Sequence, residues 1–320
     1  MLDVPSFRTL EGPHPASFPG QYPAEVDRYR ILRELTDQGE LRCNRVYLAR
    51  DRHSLHRHVI LKRFCPWDCL DEGQAARARL AFLREWEVLL RMSHPHIANL
   101  REVFEDEDGA QILILDYIEG NTLYEVLAGQ GGALAVPMAF AVTLELCKIL
   151  GYLHPRIIHR DLKPANIIIG NDGQLYLIDF GIAHINQVGQ SRGGYQRHSY
   201  PSLAELASSQ ETFERVGSYG YAAPEQYEED GQATVQTDLY SLGVILHQML
   251  TGTDPTDKPA DQDEVFFFDL GDRRLNLVSG LLAGLLAREP WKRPPDVSFV
   301  VRELEQALLL WRASKRQNGS

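Results

Sequence analysis

His159-Arg160-Asp161-Leu162-Lys163-Pro164-Ala165-Asn166, followed by Asp179-Phe180-Gly181, is the stretch on which the reading of this chain turns. Asp161, Asn166 and Asp179 offer hard oxygen donors, and Lys163 offers a compact positive charge. Such a set suits transfer of a phosphoryl group, whose concentrated negative charge calls for a divalent cation on oxygen ligands and a carboxylate to orient the attacking hydroxyl. On either side stand Ile157-Ile158 and Ile167-Ile168-Ile169, short β-branched runs expected to form strands that hold the polar loop rigid. Rigidity matters because a misplacement of about 1 Å can cost on the order of a hundredfold in rate.

Further runs follow in a matching order. Val59-Ile60-Leu61-Lys62 precedes an amphipathic stretch with Glu85; Tyr221-Ala222-Ala223-Pro224-Glu225 precedes Asp238 and Gly243; and Glu289-Pro290-Trp291-Lys292-Arg293-Pro294 follows. Together these residues resemble the eukaryotic-like (Hanks-type) serine/threonine protein kinase family over residues 29 to 310, with a bacterial flavour in Gly220 to Tyr227. The resemblance implies an α+β, two-lobed kinase fold: a small N-lobe with an antiparallel sheet and one main helix, and a larger, mainly α-helical C-lobe. It also implies roles. Asp161 would accept or orient the proton of the substrate hydroxyl, Lys163 would steady the transferring phosphate, and Asn166 and Asp179 would hold Mg2+, with Mn2+ as a substitute. Lys62 would contact the phosphates of ATP and pair with Glu85, while Gly39, Val46, Asp116, Ile118 and Ile168 would join the ATP-binding group, Leu115 standing at the gatekeeper position. Arg160, Phe180, Ser218, Glu225, Asp238 and Arg293 would have structural or regulatory parts, with Arg293 the ion partner of Glu225. Phe180, His159, Leu89 and Leu100 fall where the family stacks its regulatory spine, although apolar packing alone accounts for such residues.

Composition bounds the alternatives. The 320 residues with 44% hydrophobic content support a sizeable core, and the formal charge of −11 argues against a general nucleic-acid or anionic-membrane binder. No run of about 18 uninterrupted apolar residues is present, and the acidic, proline-containing start lacks a signal-peptide layout, so a cytoplasmic location is expected. Protein substrates, and the chain itself by autophosphorylation, are the expected partners, with no nucleic acid and no membrane segment. Cys43, Cys65, Cys69 and Cys147 are too few for a secreted disulfide framework and read as reduced thiols. Cys65 and Cys69 are not spaced as a CxxC, so a redox pair or half a metal site is the minor reading.

Along the chain, residues 1 to 28 are expected to be a flexible proline-containing leader, 29 to 118 the N-lobe and hinge, 119 to 312 the C-lobe and 313 to 320 a polar tail. Period-two patterning predicts strands at Tyr29 to Glu34, Val46 to Arg50, Val59 to Phe64, Leu100 to Phe104 and Gln111 to Tyr117. Helical spacing predicts helices at Ala75 to Met92, Thr122 to Leu127, Pro137 to Leu153, Thr237 to Leu250 and Asp296 to Trp311.

The chain also departs from the family pattern. Alignment on Val46 puts Gly39, Leu41 and Asn44 at the three glycine positions of the phosphate-covering loop; Leu41 adds bulk, while Asn44 tolerates the left-handed region better than most residues. Ile60 stands where the family has an alanine against adenine. The long segment between Asp179 and Glu225, with Arg160 before Asp161, resembles an activation loop ordered by phosphorylation, with Ser208, Ser209 and Thr212 as candidates within Ser191 to Ser218. Lys163 and Ser218 favour serine/threonine over tyrosine specificity within that resemblance. The reading is therefore a serine/threonine protein kinase that uses ATP, with a pseudokinase scaffold as the alternative and a kinase of small-molecule hydroxyls as the third.

Overall fold

In His58–Phe64, Val59 and Leu61 are buried on one side of the strand while Ile60 and Lys62 are half-buried on the other, the alternation a pleated strand imposes. This strand sits inside the first of two compact units of the computed structural model, which describes residues 24–36, 43–55, 57–185, 217–228, 231–257 and 276–317. The first unit runs to Glu119 and includes Gly170–Gln174; the second comprises Gly120–Ile169 and the chain from Leu175 onward.

The first unit is built on six antiparallel strands: β1 (Glu25–Val26), β2 (Tyr29–Glu34), β3 (Asn44–Asp51), β4 (His58–Phe64), β5 (Leu100–Glu105) and β6 (Gln111–Asp116). They lie in the order β1-β2-β3-β4-β6-β5. Register sorts their side chains. Val46 faces Lys62 across the β3–β4 ladder, Leu48 faces Ile60, and on β6 Leu113 and Leu115 face Lys62 and Ile60. The other face buries Tyr29, Tyr47, Ala49, Val59, Leu61, Ile112 and Ile114 in one core cluster. Helix α1 (Glu72–Arg91) packs on the Lys62 face, burying Ala78, Phe82, Glu85 and Leu89 at helical spacing, with the rings of Phe82 and Phe64 6.0 Å apart. Its start is fixed by Asp71, whose side chain accepts the Gln74 N–H at 2.7 Å.

The sheet starts earlier than expected. Glu25 and Val26, placed in the leader by composition, pair with Arg30 and Tyr29, and Val26 is buried. A two-residue strand is too short to show a period, so only the partner strand reveals it. Residues 1–23 of that leader lie outside the described residues.

The second unit is mainly helical: α2 (Leu123–Gly129), α3 (Val136–Leu153), α4 (Val235–Thr251), α5 (Asn276–Leu285) and α6 (Val297–Gln317). Thr122 and Glu125 form a reciprocal capping box at the start of α2. Among the described residues α3 alone is long and apolar enough to cross a membrane, and half of it is buried inside the unit, where it packs on α6 and α4. Helix α5 was not anticipated from the sequence. Small antiparallel pairs complete the unit: β8 (Ile157–Ile158) with β11 (His184–Ile185), and β9 (Ile167–Gly170) with β10 (Leu175–Leu177), while β7 (Gly120–Thr122) borders β9. Because β8 pairs with β11 and β9 with β10, the loop 159–166 and the loop 178–183 are held side by side, and the Ile178 N–H donates to the Asn166 carbonyl at 3.0 Å.

Candidate active site

The residues singled out from the sequence gather in two groups, one in each unit. In the first unit, Lys62 Nζ donates to both carboxylate oxygens of Glu85, at 2.7 and 2.8 Å. Glu85 is buried, and a buried carboxylate that takes two donors of the ammonium keeps the lysine from wandering. Val46 lies directly opposite Lys62, its N–H bonded to Thr36 Oγ1 at 2.8 Å. Asp116 ends β6 with its carboxylate committed to Arg101, to Asn99 at 3.0 Å and to Arg57 at 3.4 Å, and its N–H committed to the Asn99 carbonyl at 3.0 Å. Ile118 follows it in the chain toward β7, half-buried. Gly39 and Leu41 lie outside the described residues. Asn44 does not use the left-handed backbone its residue type tolerates; it opens β3 opposite Phe64.

In the second unit, Asp161 is the centre of a bonded cluster. Its Oδ1 accepts the Ser218 hydroxyl at 2.7 Å, its Oδ2 accepts the Asn166 amide at 3.0 Å, and Lys163 Nζ is 3.1 Å from Oδ2. Lys163 also donates to Ser218 Oγ at 2.8 Å, so the hydroxyl donates to a carboxylate while accepting from an ammonium. The same Asn166 amide nitrogen reaches the Asp161 carbonyl at 2.9 Å, which leaves its oxygen as the acceptor end of the side chain. Asp179 Oδ1 accepts the Gly181 N–H at 3.2 Å. Asn166 and Asp179 thus supply oxygen donors of the type a hard divalent cation takes, with too few protein ligands to form a complete cage; among the described residues no cluster of three or more His, Cys, Asp or Glu forms one either. Ile168, on β9 opposite Tyr176, is half-buried.

Beneath this cluster is a scaffold of buried charge. Asp238, in the first turn of α4, is fully buried and accepts the His159 N–H at 2.9 Å, the Arg160 N–H at 2.8 Å and a contact from His154 Nε2 at 3.1 Å. Burial alone would raise its pKa, but the hydrogen bonds and charge of His154 and His159 together outweigh burial and hold it below the ordinary carboxylate value. Arg160 and Asp179 have φ of 68° and 66°, the left-handed region that costs a non-glycine residue on the order of 1 kcal/mol. For Arg160 both backbone groups are clamped, its N–H by Asp238 and its carbonyl by Gln226 Nε2 at 2.9 Å. The Phe180 and His159 rings lie 4.9 Å apart, both buried; Leu89 and Leu100 belong to the first unit.

Glu225 and Arg293 form a bidentate ion pair at 2.7 and 2.8 Å. Every N–H of the guanidinium is used, because Arg293 also donates to the carbonyls of Ala287, Gln236 and Arg288. Thr237 Oγ1 donates to Glu225 at 2.9 Å. A family model described as protein kinase domain matches residues 44–318.

The chain belongs to the protein kinase family. This kinase domain is 32% identical over 249 residues to the serine/threonine-protein kinase PknD of Protochlamydia amoebophila, covering 73% of this chain and 24% of that protein. It is 32% identical to the probable serine/threonine-protein kinase PknB of Lactococcus lactis over 72% of this chain and 33% of that one. It is 30% identical to the serine/threonine-protein kinase PrkC of Bacillus subtilis over 72% of this chain and 31% of that one. The chain therefore spans between about a quarter and a third of the length of these curated relatives.

Several residues of the kinase site escaped the sequence reading. Gln226 holds the loop backbone, His154 braces the Asp238 carboxylate that does the same, and Thr237 caps Glu225, yet each looks in the sequence like an ordinary polar residue beside a helix end. The one signal available was a polar side chain inside an apolar neighbourhood, such as His154 after Leu153. The long segment after residue 185, with the phosphorylation candidates Ser208, Ser209 and Thr212, lies outside the described residues up to 216.

Proposed function

We propose that the chain is an ATP-dependent serine/threonine protein kinase that transfers the γ-phosphoryl group of ATP to protein hydroxyls, itself among the acceptors. The observation that carries this reading is the Ser218 hydroxyl bonded between Asp161 and Lys163, which supports a site built to receive an alcohol on a carboxylate next to a cation. An incoming serine or threonine hydroxyl would donate to Asp161, attack the γ-phosphorus as ADP departs, and leave its proton with the Asp161 carboxylate. Lys163 would offset negative charge on the transferring group, and Lys62, steadied by Glu85, would bind the phosphates that do not move. Mg2+ is the cation proposed for Asn166 and Asp179, where it would neutralise phosphate charge. The side chain of Asp116 is already occupied, so its part in binding adenine falls to its backbone carbonyl. A cytoplasmic setting is proposed on the few cysteines of the chain.

The scaffold alternative rests on Leu41, Asn44 and Ile60; Asn44 and Ile60 occupy regular ladder positions, so neither favours it. The test is incorporation of labelled phosphate from ATP with Mg2+ into a general acceptor protein and into the chain. Serine or threonine labelling is expected, with Asp161→Asn lowering it by about 10²- to 10⁴-fold and Asp179→Asn lowering it as well. A folded protein that labels nothing with Mg2+ or Mn2+ would refute the reading.

A further inference from the structure

Gln226 lies in the short 3-10 turn Pro224–Tyr227, next to Glu225, whose ion pair with Arg293 anchors the turn. The residue is buried, and both ends of its amide are committed. The nitrogen donates to the Arg160 carbonyl at 2.9 Å, and the oxygen accepts the Ala223 N–H at 3.0 Å. The Arg160 carbonyl and the Asp161 N–H are the two ends of one planar peptide unit, and that N–H meets His159 Nδ1 at 3.3 Å. The plane that aims Asp161 is thus held at one end by His159 and at the other by Gln226.

We propose that Gln226 is a positioning residue for phosphoryl transfer, its amide joining the peptide that aims Asp161 to the segment that carries Ser218, so that the two form the acceptor site as one piece. This role rests on the kinase reading above. Ser218 and Ala223 belong to one folded segment: the Tyr221 and Ala222 N–H groups donate to the Ser218 carbonyl at 3.1 and 3.0 Å, while the Ser218 hydroxyl donates to Asp161. Gln226 closes the circuit, which runs from Asp161 through Ser218 to Ala223 and back to the Arg160 carbonyl.

The chemistry of the two backbone groups requires an amide between them. A carbonyl only accepts and an N–H only donates, so a side chain facing both must donate at one end and accept at the other; among side chains of this length glutamine alone does so without gaining a proton. A carboxylate would meet the Ala223 N–H but would set oxygen against the Arg160 oxygen, and an apolar chain would leave both groups without this partner. The left-handed backbone of Arg160, at φ of 68°, adds to the need, since a strained residue keeps its shape only while its surroundings over-determine it. The acceptor segment also fits closely around the amide: a Cβ at Gly217, whose φ is 125°, would stand 2.9 Å from Gln226 Nε2 and 2.6 Å from Ala222 Cβ.

The test compares the full chain with Gln226→Met, which keeps the length and loses both hydrogen bonds, and with Gln226→Glu. Initial rates of phosphate transfer from ATP with Mg2+ to a general acceptor protein are measured at a temperature where thermal melts show all three proteins folded. Gln226→Met is expected to lower kcat by about 10- to 100-fold, the scale of a displaced catalytic group, with KM for ATP within about twofold of the parent. Gln226→Glu is expected to match that loss at about pH 8.5 and to recover toward the parent at about pH 6, because a carboxyl buried against a carbonyl takes up a proton and then donates to Arg160 while its other oxygen accepts from Ala223. Rates are read as a ratio to the parent at each pH, which cancels the titration of the groups around the amide, Asp161, Lys163, Glu225, Asp238 and His154, present in both proteins. A merely structural residue would change the melting temperature without this recovery. A kcat for Gln226→Met within about twofold of the parent, a loss confined to KM for ATP, or a Gln226→Glu ratio that stays flat with pH would overturn the role of Gln226 alone. A parent that transfers nothing would overturn it together with the kinase reading.

Discussion

Glu225 and Arg293 show how single residues bear on stability here. The Arg293 side chain is fully buried with all five donors used, so its carboxylate partner cancels a charge that has no water to turn to. Removing one member of such a pair costs about 3–5 kcal/mol, because the other is left buried and unpaired. Glu225→Gln should lower stability on that scale in urea denaturation; a change under about 1 kcal/mol would mean that the carbonyls of Ala287, Gln236 and Arg288 hold the guanidinium unaided. Asp238 makes a pH-dependent contribution. Its folded pKa is depressed, so its stabilisation is fully present above the unfolded value of about 3.9 and is lost as pH falls through the lower folded value. Asp238→Asn should therefore be less stable than the parent at neutral pH, with the difference shrinking below about pH 4 in acid titrations followed by fluorescence. A constant difference down to pH 2 would contradict this.

The helices and strands add constraints that no lone residue states. On α4, Gly243 lies against α5: a Cβ built there would stand 2.7 Å from Leu285 Cβ and 3.2 Å from Leu286 Cδ2. Leu285 Cβ is fixed to its helix backbone, so Gly243→Ala must separate the two helices. Overpacking of this kind costs about 1–3 kcal/mol, despite the better helix propensity of alanine. A stabilised variant in thermal melts would show that the interface yields freely. The apolar patterning of β2 to β6 made them legible within a residue or two, with one face buried in β3 and β4 and both faces in β6. It missed β1, β7, β10 and β11, which have two or three residues and acquire strand character from a partner.

At the scale of the molecule, each unit has its own apolar centre: the Tyr47, Leu61 and Ile112 cluster in the first, and the buried faces of α3, α4 and α6 in the second. Units with separate cores open locally with separate free energies. Ile112→Ala, a large-to-small change at a fully buried position, should cost about 2–5 kcal/mol in the first unit. Hydrogen exchange should then speed up for the amides of β3, β4 and β6 while those of α4 and α6 keep their protection. Equal loss of protection in both units would mean that they unfold as one.

The sequence by itself determined the family and the two-part layout of sheet and helices, and it supplied the oxygen and nitrogen atoms proposed to meet phosphate, metal and hydroxyl. Those are properties of residue type, order and periodicity, which survive without coordinates. Only the tertiary structure decided that Asp238 holds the His159 amide from 79 positions away, that Arg293 spends every donor at Glu225 and three carbonyls, and that Ser218 bridges Asp161 and Lys163. The physical reason is that a buried polar group must find its partner wherever the folded chain brings one, and periodicity records which face is buried but not who meets whom inside.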